Sequence, residues 1–169
     1  MTYNQIVSEI QTILENHNQI NQVKLASPTE WLNWDSVPIY PVALYTINDG
    51  SYNIGREIVY KINFWFLDKS GVEGEYETEV TSDMLSIATD IINILRFQGN
   101  KYGITDNISW TAISEKFEDY ISGVNFSLDL SIVNSFSSCD APMNDLLITE
   151  ERNILVTEDN NFIAIWTNV

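Results

Sequence analysis

Few residues of this chain are of a type that does chemistry. It has one histidine, His17, and one cysteine, Cys139. Nucleophilic catalysis by a Ser–His or Cys–His pair needs an oriented base beside the nucleophile. His17 lies between Asn16 and Asn18 at the end of a predicted helix, where a histidine serves the helix dipole. Cys139 sits in a Ser/Asp stretch, which marks an incidental linker thiol, and one cysteine forms no intrachain disulfide. Structural zinc takes about four Cys or His ligands. Neither a phosphate loop nor a dinucleotide fingerprint occurs, and Gly71-Val72-Glu73-Gly74 is too short and too acidic to cradle phosphate. Glu73, Glu75, Glu77 and Glu79 lack the spacing of a calcium loop and read as a solvated lead into a helix, whose positive end they suit. Glu150-Glu151 and Glu158-Asp159 fall on predicted turns, where nothing raises a carboxyl toward general-acid duty. The expectation is a chain without catalytic residues, cofactor or metal.

Chemistry of contact is better supplied. The chain carries five Trp, eight Tyr and seven Phe, and large rings dominate the energetics of both cores and interfaces. Trp31 and Trp34 share the predicted loop Ser27–Asp35. They either fold back as a lid over the core or sit against a neighbouring subunit. Asn48-Asp49-Gly50-Ser51 is a turn signal with Tyr52 behind it, and the connection to Gly55 is long enough to protrude. Near the C-terminus, Phe162, Ile163 and Trp166 belong to an apolar run. The candidate contact residues are therefore Trp31, Trp34, Asn48, Asp49, Gly50, Tyr52, Phe162, Ile163 and Trp166.

The elements that must hold these residues are legible from periodicity. From Gly123 to Ile132 apolar side chains take the even positions and small or polar ones the odd, the pattern of a strand with one dry and one wet face. Arg56–Leu67 is the longest predicted strand. Ile58, Tyr60, Ile62, Phe64 and Phe66 share one face, and a mixed set, covered at one end, takes the other. Val37–Ile47 reads as a strand that opens on Pro38 and Pro41, hence at an edge or bulge. Val23–Ala26 and Asn107–Tyr120 are further strands. Thr2 and Gln5 match a capping box at the head of a helix over Tyr3–His17. A second helix, Thr78–Phe97, has a broad apolar face that includes Met84, Ile87, Ile91 and Leu95. The fold class is α+β: a mainly antiparallel sheet with two helices on one face, over residues 1–136, followed by a linker and a small β meander over 137–169.

Net charge is −16, and the eight basic residues are scattered. Gripping nucleic acid or an anionic membrane needs clustered Lys and Arg, so neither is expected. No apolar run approaches the length of a membrane span, and the N-terminus lacks a signal peptide's charge and apolar pattern. The chain reads as soluble and made in the cytoplasm.

The order helix, proline-bearing strand, long strand, helix, strand pair resembles the tail terminator and tail completion proteins of tailed bacteriophages, with the related ring proteins of head–tail connectors. The likeness is carried by Val37–Tyr45, Arg56–Phe66, Met84–Leu95 and Gly123–Ile132, and spans residues 1–136. It implies a non-catalytic virion subunit that forms a homo-oligomeric ring, a hexamer or dodecamer, at the head–tail junction or tail end, after assembly in the host cytoplasm. Its neighbours would be tail tube, connector or portal-associated proteins, with DNA passing nearby but not specifically bound. A carboxylate-lined passage does not hold phosphates, which suits the charge. The alternative is an acidic α/β binding module that chaperones a basic partner protein.

Overall fold

The computed structural model describes residues 2–33, 37–53, 57–71, 75–97, 102–104, 107–116 and 120–133. The chain divides into a unit Met1–Asn134 and a unit Ser135–Val169. Trp34, Phe162, Ile163 and Trp166 lie outside the described residues, as does the expected meander.

The elements run α1 (Tyr3–Glu15), β1 (Gln22–Leu25), α2 (Pro28–Leu32), β2 (Val42–Asn53), β3 (Glu57–Lys69), α3 (Glu77–Phe97), β4 (Gly103–Ile104), β5 (Trp110–Lys116) and β6 (Tyr120–Val133). One sheet takes the order β1-β2-β3-β6, and the far side of β6 is shared by β5 and β4. Every pairing is antiparallel except β1 with β2. The fold is therefore α+β with a mostly antiparallel sheet.

Three-strand rows follow from the register. On one face they are Ala43–Phe66–Val124, Tyr45–Phe64–Phe126, Ile47–Ile62–Leu128, Gly50–Tyr60–Leu130 and Tyr52–Ile58–Ile132. Helices α1 and α3 cover this face with Ile6, Ile10, Leu14, Met84, Ile87 and Ile91. The even positions of β6 from Val124 to Ile132 are all buried, as the alternation requires. At the centre, the Phe64 ring stacks on Phe126 at 5.0 Å and on Tyr45 at 6.2 Å. The Tyr45 hydroxyl donates to the Val7 carbonyl at 3.2 Å and ties β2 to α1. Thr2 and Gln5 form the capping box that starts α1.

Among the described residues, the opposite face is covered at one end. Val42, Leu44, Leu67 and Ile121 form a smaller cluster with Ala26 and Trp31. The covering element is α2, a third helix in a stretch read as loop. Ser27 and Glu30 make its capping box, and Pro28 occupies its first turn, where a missing N–H costs nothing. The Ser27 N–H and hydroxyl bind the Glu30 carboxylate, both at 2.9 Å, and hold it below the usual carboxylate range.

Two further boundaries differ from the sequence expectation. β2 begins at Val42, after both prolines rather than on them, because a proline cannot donate to the ladder. Asn48-Asp49-Gly50-Ser51 is strand, not turn. Ile47 pairs with Ile62 and Asp49 with Lys61, so the register shifts by one residue at Asn48. A bulge absorbs the extra residue, and pairing with β3 overrides the local turn preference. The β2–β3 connection therefore falls between Asn53 and Glu57.

Candidate interface

At its N-terminus α1 sets Tyr3 against the Tyr60 ring, centroids 6.4 Å apart, and the Tyr3 hydroxyl reaches the Ile47 carbonyl at 3.5 Å. Beyond that point, among the described residues, cover thins toward β2: Leu130 and Ile132 of β6 stay buried and Ile58 of β3 is half-buried. Tyr52 lies on the helix-side face, in the row with Ile58 and Ile132, and is 62% exposed. The bulge at Asn48 puts it there, since an unbroken register would send Tyr52 to the other face.

The same stretch of β2 is an open sheet edge. β1 lies outside β2 only along Val42–Tyr45. From Asn48 to Asn53 no strand among the described residues pairs on that side. Asn48, Asp49, Gly50 and Tyr52, four of the predicted contact residues, are thus brought together along one exposed edge. On the wet face, register sets Lys61 between Asp49 and Asp129.

A second open edge lies across the sheet. β5 pairs with β6 along Trp110–Lys116, and no described strand lies outside it. Trp110 is in register with Phe126 on the helix-side face and is 51% exposed. Beside it, a groove of about 380 Å³ separates α3 from β5, with Leu85, Ile92, Ile108 and Trp110 in its walls and Arg96 among its lining residues. Sequence periodicity located β5 but gave no sign of this edge, because open edges follow from strand order and not from local pattern.

Trp31 takes the lid alternative. It is 2% exposed, meets the Tyr40 ring edge-on at 5.7 Å, and donates from Nε1 to Gln22 Oε1 at 3.3 Å. A side chain so enclosed has no surface for a partner, so Trp31 is withdrawn from the contact set. The overlooked signal was Ser27-Pro28-Thr29-Glu30, a capping box with proline at the first helical position. Trp31→Ala is expected to lower stability by about 3 kcal/mol, the low end of the range for a buried large aromatic, read by urea unfolding, and to leave self-association unchanged.

Groups with shifted protonation do not converge on a reactive site. Burial pushes the Tyr45 hydroxyl up to about 12. Burial, with the Glu9 carboxylate as hydrogen-bond partner, raises Tyr102 as well. Burial also lifts the Asp68 carboxyl, against the opposing hydrogen bond from the Lys69 N–H. His17 Nδ1 accepts from the Gln19 N–H at 3.4 Å, and Nε2 lies 3.6 Å from Asp90 Oδ2, which links the end of α1 to α3. It borders an open hollow lined by Ile13, Asn16, Asn18, Gln19 and Ile94. Among the described residues, no group of three or more His, Cys, Asp or Glu is placed to hold a metal, and no helix is long and apolar enough to cross a membrane.

No protein-family model matches this chain, and no curated protein sequence matches it.

Proposed function

We propose that this chain is a non-catalytic structural subunit of a bacteriophage virion, forming a homo-oligomeric ring at the head–tail junction or tail end. The observation that carries the reading is a sheet that, among the described residues, has no strand outside β2 at Asn48–Asn53 and none outside β5. An open edge offers unpaired N–H and C=O groups to another chain. Two such edges on opposite sides let each copy accept one neighbour and be accepted by another, as a closed ring demands. The element order adds the likeness to tail terminator and connector ring proteins.

A charge of −16 per copy opposes ring closure, but salt screens exposed charges beyond about 8 Å at physiological strength, while apolar and backbone contacts act at short range. The ring lumen would present carboxylates to passing DNA and would not retain it.

Light scattering is the direct test, on the pure chain at low and high salt and then mixed with the products of adjacent genes. The ring reading expects a defined particle of several copies, favoured by salt or by those partners. The acidic charge is what favours the chaperone reading, which expects a monomer or dimer that binds one basic client, more weakly as salt rises.

A further inference from the structure

We propose that copies of this chain join head to tail by strand pairing. The outer edge of β2 at Asn48–Asn53 of one copy lies against the outer edge of β5 at Trp110–Lys116 of the next, and Tyr52 enters the groove beside Trp110. This deepens the ring reading and rests on it.

Strand direction makes the two edges compatible. β2 is antiparallel to β3, β3 to β6, and β6 to β5, so β2 and β5 run in opposite directions. A second copy displaced sideways, with the same face up, therefore brings its β2 antiparallel to β5 of the first. The two edges also sit at opposite ends of β6. β5 pairs with its first half, Tyr120–Phe126, whereas the free part of β2 lies level with its second half, Asp129–Val133. Joined copies are thus staggered along the strand axis, and β1, which flanks only Val42–Tyr45, stays clear of the junction.

Side chains agree with this pairing. Tyr52 and Trp110 both project on the helix-side face, and both are more than half exposed. When β2 extends the sheet beyond β5, Tyr52 arrives next to the groove between α3 and β5, whose walls include Leu85, Ile92 and Ile108. On the other face Ser51 and Thr111 are both exposed and come together. Proline is absent from both edges, and the one lysine, Lys116, stands at the last position of β5, away from Ser51 and Thr111. The bulge at Asn48 lies at the inner limit of the free stretch. A foreign strand would fill one edge and leave the other open, whereas a second copy satisfies both.

Disulfide trapping between singly substituted proteins tests the register and its direction. In a Cys139→Ser background, Ser51→Cys is mixed with Thr111→Cys, and separately with Ile113→Cys to cover a two-residue shift. The expected result is a cross-linked dimer in one mixture and none in any protein alone. Tyr52→Lys, at a position exposed in the single copy, should keep the far-UV spectrum and weaken self-association at least about tenfold, with Tyr52→Phe close to wild type. Cross-linking of Ser51→Cys with itself would overturn the proposal in favour of a two-fold β2–β2 contact. An oligomer that forms normally with Tyr52→Lys, or that gives no mixed cross-link, overturns the edge pairing and leaves the ring reading intact. A wild-type chain that stays monomeric at every salt concentration and with its adjacent-gene products sinks both.

Discussion

Replacing Phe64 with alanine is expected to cost about 3–5 kcal/mol of stability, the range for deleting a large aromatic from a packed core. Phe64 is fully buried in the middle strand. Its ring contacts reach both neighbouring strands, Tyr45 on β2 and Phe126 on β6, and also Phe66 two residues along β3 at 6.4 Å. No small rearrangement can refill that space, since Tyr45 is tethered by its hydroxyl to the Val7 carbonyl. A loss of this size is a large fraction of the total stability of an ordinary domain. Urea unfolding followed by tryptophan fluorescence reads it as a lower midpoint, and an unchanged slope would show that the denatured state is unaltered. Phe64→Leu keeps much of the buried apolar area and should lose less. A cost below about 1 kcal/mol for Phe64→Ala would mean that the aromatic row does not clamp the three strands together.

That row bears on the proposed assembly because an edge can only be offered by a sheet that holds its shape. β6 pairs with β3 along the whole of β3, from Glu57 with Val133 to Lys69 with Ile121. They carry the part of β2 that no described strand flanks on one side and β5 on the other. The apolar rows and the helices over them set the distance and angle between these two edges, and so, in the proposed assembly, decide whether successive copies would close or run on as a filament.

Much of this was legible in the sequence because the forces concerned act locally. The alternation from Gly123 to Ile132 fixed a period of two, and burial of its even positions follows from that alone. The helical stripe Tyr3, Ile6, Val7, Ile10, Ile13 and Leu14 and the Thr2–Gln5 box placed α1 within two residues of its observed end. What was not legible depends on partners distant along the chain. Asn48-Asp49-Gly50-Ser51 has turn chemistry, yet eleven paired positions with β3 hold it extended. Trp31 and Trp34 looked alike as loop aromatics, but Trp31 is carried inward by a five-residue helix whose cap was present and unread. The edges left open among the described residues belong to the same class. No residue on β2 or β5 announces an unpaired side; only the strand order does.

Gly123→Ala is expected to destabilise the protein by about 3 kcal/mol, at the upper end of overpacking costs, through a single added methyl group. Gly123 pairs with Leu67 and is buried. A Cβ built there runs into the Phe66 carbonyl oxygen and comes within 3.0 Å of the Leu67 Cα. Both obstacles are backbone of the central strand, so relief requires β3 and β6 to move apart where their ladder is continuous. Gly103 provides the control. A Cβ there meets first the Ser131 hydroxyl, which can rotate away, so Gly103→Ala should cost less than about 1 kcal/mol. The contrast isolates backbone collision from loss of glycine itself. It also reaches the proposed contact, because β5 pairs with β6 at Ile113 and Gly123. Forcing β6 away from β3 at that position tilts the β5 edge relative to β2, so Gly123→Ala protein that still folds should self-associate less well than Gly103→Ala. Equal unfolding midpoints for the two variants would show that β3 and β6 have slack at this crossing, and the edges of the sheet would then be less firmly held than the register implies.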